Sequence, residues 1–502
     1  MASSYGKRRS AAGHGALAAL AAAWLCAPAA VPAQTVLDFG PAGGWRLDPA
    51  SSAFSYDDAV VHRTPRSLRI HHEAEAAADY DRPAYELAAA AVTGDRLRVD
   101  TFIKTAIEDD GVASLWIRVE GADGLLYIDR ARDLGAHGTT DWQPYTIEAP
   151  LDPAATRISF GAEFHGRGTV WLDAFTLRMQ RAEDLPAPSA RVEGYVDAAL
   201  RIIEAHSLRR GKIDWPAFQN AVKTQARGRD SLRTAHLAVR FALSRLGDSH
   251  SYFMTPEQMS RLPLRPVVNA RTGREAVAPR AAQLEETIGY LALPGFAGGT
   301  QRDQAEFAET VQASLSALEQ AGVCRWIVDL RSNRGGNLWP MLAGVGPLLG
   351  DGEATTAVYP DGERIPLWYR DGKVGLGDYV QLRIRSEPYR PKAGTSPVAV
   401  LTGPATASAA EIIAAAFRGT DTARSFGGAT GGASTGTRTY TLSDGAAIVL
   451  AVTATRDRRG ETYVGPIEPD QHVNPDTSSA ELDAQPAIRA AIAWLESTPC
   501  PN

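Results

Sequence analysis

Three short segments of this 502-residue chain carry side chains able to perform nucleophilic chemistry. In the first, Leu246-Gly247-Asp248-Ser249-His250-Ser251, a glycine of the kind that ends helices precedes an imidazole set among hydroxyls and a carboxylate. Such a histidine can have its tautomer fixed by one neighbour while it takes a proton from another, although a lone histidine also serves purely structural ends. The second, Asp329-Leu330-Arg331-Ser332-Asn333-Arg334-Gly335-Gly336-Asn337, begins where an apolar strand runs out. Adjacent glycines there let backbone N–H groups face a cavity, as an oxyanion hole requires, and a plain glycine turn would have the same composition. Neither G-x-G-x-x-G nor a Gly-Lys-Ser/Thr phosphate loop is present. The third, Thr402-Gly403-Pro404-Ala405-Thr406-Ala407-Ser408-Ala409-Ala410-Glu411, joins a strand to a helix and leaves Ser408 at the helix start. Free N–H groups and the helix dipole there would stabilise the oxyanion formed when a serine attacks a carbonyl. Serine is equally a favoured N-cap with no chemistry at all.

The elements that must hold these segments are legible in the apolar spacing. Tyr195 to Ile203 and Thr234 to Leu243 repeat at helical period on either side of a loop holding Ile213-Asp214-Trp215. From Ile288 the text becomes strand (288–293), helix (303–321) and buried strand (326–330), with a second strand (398–401) and Ala-rich helix (409–418), an α/β pattern. Upstream, short alternating runs such as Ser67 to Ile70, Leu97 to Phe102, Ser114 to Val119 and Gly168 to Asp173 predict a β-sandwich. Trp116, Trp142 and Trp171 sit at strand positions and are expected to pack inside it. His71-His72-Glu73 lacks the i, i+4 histidine pair of a helical metal site and is expected to be a solvated turn. Leu185-Pro186-Ala187-Pro188-Ser189 breaks the chain between sandwich and helices. The expected organisation is a multidomain chain: a β-sandwich over 35–180, a small helical subdomain over 190–262 ending in the His250 motif, and an α/β core over 270–500.

Residues 1–33 have a basic start (Lys7, Arg8, Arg9), an apolar run from Ala16 to Cys26 and a small-residue end. This is the pattern of a cleaved export signal, and the run is shorter than the ~20 residues of a membrane-spanning helix. With 44% hydrophobic and 22% charged residues and a mean hydropathy of -0.20, the chain is globular, neither a disordered scaffold nor a multi-pass membrane protein. A net charge of -6 argues against nucleic acid as a partner. Cleavage would leave two cysteines, Cys324 and Cys500, so one disulfide is open to the mature chain and the sequence does not decide whether it forms.

The order of histidine after a helix, glycines after a strand and serine at a helix start resembles the C-terminal-processing (tail-specific) serine protease family over roughly residues 190–475. Ile288-Gly289-Tyr290-Leu291, Asp329-Leu330-Arg331 with Asn333 and Gly335-Gly336, Thr406 to Ile412, and Gly465-Pro466-Ile467-Glu468-Pro469-Asp470 carry the likeness. It implies a crotonase-like ββα core, a polypeptide substrate and no metal or organic cofactor. It also implies Ser408 as nucleophile, with the amides of Gly336 (or Gly335) and Ala409 as oxyanion donors. The better-known branch uses a lysine base in a Phe-Gly-Lys-Gly loop; here the stretch reads Ser425-Phe426-Gly427-Gly428, and no lysine follows Lys392. Ser249-His250 is similar instead to the tricorn-type branch, which implies His250 as base, Ser249 beside it and a distant glutamate. Glu461 is the leading candidate for that acid, with Glu468 and Asp248 as rivals. The peptide-binding PDZ insert common in the family is not expected, because about 30 residues separate Thr255 from Ile288, fewer than a domain needs. Arg66 to Ile70, Thr140-Asp141-Trp142 and Gly168 to Asp173 resemble jelly-roll carbohydrate-binding modules, which implies contact with polysaccharide. The expected activity is that of an exported, periplasmic or secreted serine endopeptidase. A non-enzymatic binder of small apolar ligands on the same scaffold, or a serine hydrolase of esters or cell-wall material, is the alternative; retention of both Ser408 and His250 favours the enzyme. Oligomeric state is not legible in the sequence.

Overall fold

The computed structural model describes residues 34–37, 39, 44–47, 53–73, 83–122, 124–261, 278–392 and 394–501; the expected export segment, 1–33, lies outside them. The N-terminal region is two antiparallel sheets packed face to face. One runs Phe54–Asp57, Ser67–His72, Gly168–Gln180, Arg96–Ile107, Thr139–Pro150, with Gln34–Leu37 also on Gly168–Gln180. The other runs Trp45–Arg46, Ala84–Ala88, Ala155–His165, Val112–Gly121, Gly124–Arg130. Period-two alternation explains the core: in Arg96–Ile107, Leu97, Val99 and Ile103 are fully buried against Ile117, Phe160 and Phe175. Trp116 is buried, its Nε1 donating to Ala162 O at 3.2 Å. Trp142 and Trp171 depart from expectation. Trp171 alternates with the inward Val170 and Leu172 and pairs across to Arg69 and Lys104, so it lies half-buried on the polar face, bonded through Nε1 to Asp57. Trp142 is half-buried and stacks on His62, ring centroids 5.5 Å apart. His71 and His72 finish a strand rather than forming a turn.

Beyond the proline-rich break come helices α1 (Ala190–His206), α2 (Trp215–Ala226) and α3 (Leu232–Ser244). Helix α2 occupies what the sequence presents as a loop. Asp214 Oδ1 caps it by accepting from Ala217 N at 3.3 Å, Pro216 sits in its first turn, and Phe218, Val222 and Ala226 form an i, i+4, i+8 buried stripe. The three helices share one apolar cluster with Ile448, Leu450 and Val452 of the strand Ala447–Arg456. The helical segment thus packs directly on a strand of the core. Tyr252–Met254 also pairs with that strand, followed by α4 (Pro256–Arg261). Ala447–Arg456 is the spine of an eight-stranded sheet that continues through the meander Gly352–Val358, Arg364–Arg370, Lys373–Leu376 and Tyr379–Arg383.

The second core sheet runs Arg280–Glu285, Ile288–Ala292, Arg325–Asp329, Val398–Thr402, Ala423–Gly427, Gln471–His472, parallel from its second strand onward. Helices α5 (Gln301–Gln320), α6 (Leu338–Leu349) and α7 (Ala409–Phe417) pack together on one face, and α8 (Pro486–Glu496) packs on the other through Ile488 and Leu495. Covering both faces explains why Trp326-Ile327-Val328 and Val398 to Leu401 read as unbroken apolar runs. A disulfide joins Cys324, just before a sheet strand, to Cys500 beyond α8, with Cα atoms 5.6 Å apart. It closes a loop of 176 residues, so Cys500→Ser is expected to lower unfolding free energy by about 3–5 kcal/mol. Denaturant unfolding with and without dithiothreitol checks this, and indifference to both changes would contradict it.

Candidate active site

The site forms where strands of the parallel sheet end and a loop from α3 crosses over them. That loop leaves α3 through Gly247, whose φ of +68° suits glycine. Asp248 then folds it into a tight turn: Oδ1 accepts from the amides of His250 (2.9 Å) and Ser251 (2.6 Å), and Oδ2 accepts from Ser251 Oγ at 2.9 Å. Ser251 Oγ also receives Ala451 N at 3.0 Å, tying the turn to the spine strand.

After the strand Val398–Thr402, Thr406 bridges the adjacent loops, donating from Oγ1 to Leu330 O at 2.9 Å and accepting from Gly403 N at 3.0 Å. Ala407 N donates to Asn333 O at 3.1 Å. Ser408 follows at φ +59°, ψ -123°, a strained conformation for a residue with a Cβ. It is held there by Glu411, one turn into α7, whose Oε2 accepts Ser408 N at 2.9 Å. The other oxygen of this fully buried carboxylate accepts Gly432 N at 2.9 Å and the Thr430 hydroxyl. Burial raises the Glu411 pKa above its ordinary value, and the hydrogen bonds from Thr430, Ser408 and the 432–433 amides oppose the rise.

With Ser408 so posed, its Oγ lies 2.9 Å from His250 Nε2. His250 Nδ1 lies 2.9 Å from Oγ1 of Thr435, a buried residue. Desolvation lowers the imidazole pKa below its ordinary 6.5, partly countered by the Asp248 charge and by hydrogen bonding at Thr435. The ring is thus neutral near pH 7. A proton on Nδ1, directed at Thr435, leaves Nε2 free to accept from Ser408.

The glycine pair abuts the serine. At Gly335 (φ +88°) an added Cβ would lie 2.6 Å from Ser408 Cβ and 3.0 Å from Ala409 N; at Gly336 (φ +114°) it would lie 2.0 Å from Phe296 O. Gly335 N is already donated to Asn333 Oδ1 at 2.8 Å, which removes it from the expected oxyanion donors. The amides of Gly336 and Ala409 have no acceptor among the described residues, and Gly336 is exposed.

The sequence-expected acids do not reach the imidazole ring. Glu461 is exposed, and its backbone amide donates to Asp457 Oδ1 at 2.9 Å in a turn of the Arg456–Glu461 segment. Glu468 is exposed and lies 3.4 Å from His472 Nε2. Asp248 meets backbone amides rather than the ring. Ser249 Oγ donates to Gly432 O at 3.0 Å, linking the histidine loop to the segment that Glu411 holds. Two residues without an assigned role in the sequence thus matter to the geometry. Glu411 had a local signal, the Ser-x-x-Glu capping spacing. Thr435 had none, since only the long-range fold brings it to His250.

Residues 287–473 match the family model for peptidase family S41. This segment is a peptidase family S41 domain. The protein is accordingly a serine-type peptidase, with Gly335-Gly336 and Ser408 inside the S41 match and His250 before it. A nisin-resistance protein of Lactococcus lactis subsp. lactis is 27% identical over 304 residues, covering 60% of this chain and 86% of the relative. The structure of a lipoprotein from Streptococcus agalactiae shares the fold, with TM-score 0.50 and 23% identity, covering 61% of this chain and 97% of that one. The CBM22-1 xylan-binding domain from Paenibacillus barcinonensis aligns with TM-score 0.24 and 12% identity, covering 30% of this chain and 93% of that one. Among the described residues no helix is long and apolar enough to cross a membrane.

Proposed function

We propose that the S41 domain is an exported endopeptidase of the histidine-base type, acting through an acyl-enzyme. The observation that carries this is the 2.9 Å approach of His250 Nε2 to Ser408 Oγ at the mouth of two unpaired amides. Ser408 attacks the peptide carbonyl while His250 takes its proton. The carbonyl oxygen, now anionic, is held by the amides of Gly336 and Ala409, and His250 returns the proton to the departing amine; water then repeats the sequence on the acyl-enzyme. Thr435 takes the place of a carboxylate behind the imidazole and fixes its tautomer, while Ser249 and Glu411 keep the two loops in register. The polypeptide substrate is unassigned by the site, and a relative named for nisin resistance makes nisin the first compound to assay beside casein. The sandwich, with Trp142 and Trp171 half-exposed, is available for polysaccharide contact.

A fluorophosphonate serine probe is expected to label Ser408, and the labelled protein to lose casein cleavage. Absence of label would point to a binding protein on this scaffold, and label without proteolysis would point to a hydrolase of other substrates. Thr435→Val, which keeps shape and removes the hydroxyl, is expected to lower kcat about tenfold to a hundredfold with little change in KM. Thr435→Ser should recover most of the loss. Unchanged kcat in the valine variant would remove Thr435 from the proton path.

A further inference from the structure

The turn that precedes Glu461 lines a different hollow from the catalytic one. A solvent-open cavity of about 400 Å³ lies between Glu353 and Thr356 on one side and the turn Arg456–Gly460 on the other. Arg458 reaches the C-terminal end of α6, its Nη1 and Nη2 3.3 and 3.4 Å from Leu349 O. A Cβ on Gly419, just past α7, would meet Arg458 Cβ at 2.8 Å. Ser408 stands at the opposite end of this nine-residue helix, on the order of 14 Å away.

Three arginines line the cavity, and the hydrogen bonds of their side chains among the described residues end on neutral carbonyls. Arg456 Nε donates to Gly460 O at 3.0 Å and Arg458 to Leu349 O, while the Arg459 side chain is exposed with no such bond. Arg458 Nε is buried without a partner. Two carboxylates share the lining: Asp457 accepts the Arg459 and Glu461 amides and the Tyr463 hydroxyl, and Glu353 accepts the Thr356 hydroxyl while its charge also acts on Arg458, so three arginines outnumber them. Arginine forks in a concave, partly desolvated setting favour multidentate oxyanions. A phosphate group, with several free oxygens and up to two charges near neutral pH, satisfies more of these donors than a carboxylate does.

We propose that this cavity is a phosphate-binding site, recognising a phosphate group carried by a soluble compound or by a lipid headgroup. Inorganic phosphate titrated calorimetrically into the full protein, against chloride of equal ionic strength, is expected to bind saturably. Arg459→Ala should weaken that binding about tenfold, and Arg456→Lys, which keeps the charge and loses the fork, should weaken it too. Neither residue belongs to the proposed catalytic machinery, so peptide cleavage should be unchanged in both. Vesicles of phosphatidylcholine with and without phosphatidic acid separate the sources. Retention on phosphatidic acid vesicles that is lost in Arg459→Ala assigns a headgroup, whereas phosphate binding without vesicle retention assigns a soluble ligand. No saturable phosphate binding, or equal affinity in wild type and Arg459→Ala, would overturn the site.

Discussion

Replacing Ser408 by alanine is expected to lower peptide cleavage by about 10⁵- to 10⁶-fold while leaving the fold and thermal unfolding close to wild type. The size of the loss follows from the site's composition. Without Oγ no acyl-enzyme can form, and what survives is the contribution of the Gly336 and Ala409 amides and of substrate binding. The mild effect on stability follows from the local bonds: Ser408 is held through its backbone amide, which Glu411 accepts at 2.9 Å, and this bond does not involve the side chain. Single-turnover cleavage of casein measured beside circular dichroism makes the comparison. Wild-type turnover in the alanine variant would exclude Ser408 as nucleophile, and global unfolding would show that its hydroxyl is structural.

His250→Ala is expected to cost nearly as much, about 10⁴- to 10⁶-fold in kcat, because serine and base act as a unit and losing either removes the same step. The wild-type pH profile supplies an independent readout. Burial lowers the His250 pKa below 6.5, so the neutral, proton-accepting ring persists into mildly acidic solution. The acidic limb of kcat/KM should therefore fall below pH 6.5, activity being lost as pH drops and the imidazole takes a proton it cannot accept twice. A limb lying above 6.5 would mean that a nearby carboxylate dominates the ring, restoring an acid to the site. Bound fluorophosphonate would not form at a useful rate in His250→Ala if the ring activates Ser408.

The bonds around His250 explain why its environment differs from what the motifs imply. The resemblance of Ser249-His250 to a branch with a distant glutamate pointed to Glu461, but Asp457 folds that residue's backbone into a surface turn, and Nδ1 meets Thr435 instead. Ser249 Oγ donates to Gly432 O, which links the histidine loop to the segment that Glu411 holds. Similarly, α2 was hidden because Ile213-Asp214-Trp215-Pro216 carries turn-forming residues whose capping function depends on the helix that follows. The outward placement of Trp171 was hidden because tryptophan type does not report face; the alternation with Val170 and Leu172 did, once the register to Lys104 and Arg69 was known.

Local chemistry in the sequence by itself determined the α/β pattern, the alternating strands of the N-terminal region and three candidate segments, those of His250, the Gly335-Gly336 pair and Ser408, because periodicity, glycine placement and element ends act over a few residues; the family resemblance supplied their roles and the choice of Gly336. Tertiary structure alone decided which of them meet. Residues 250, 408 and 435 are far apart in the chain, and their approach depends on Ser251 and Asp248 pinning one loop, Glu411 clamping another, and Thr406 and Asn333 bracing the glycine turn. The pairing of Cys324 with Cys500 is of the same kind, since α8 must first dock on the sheet before the two sulfurs come within reach.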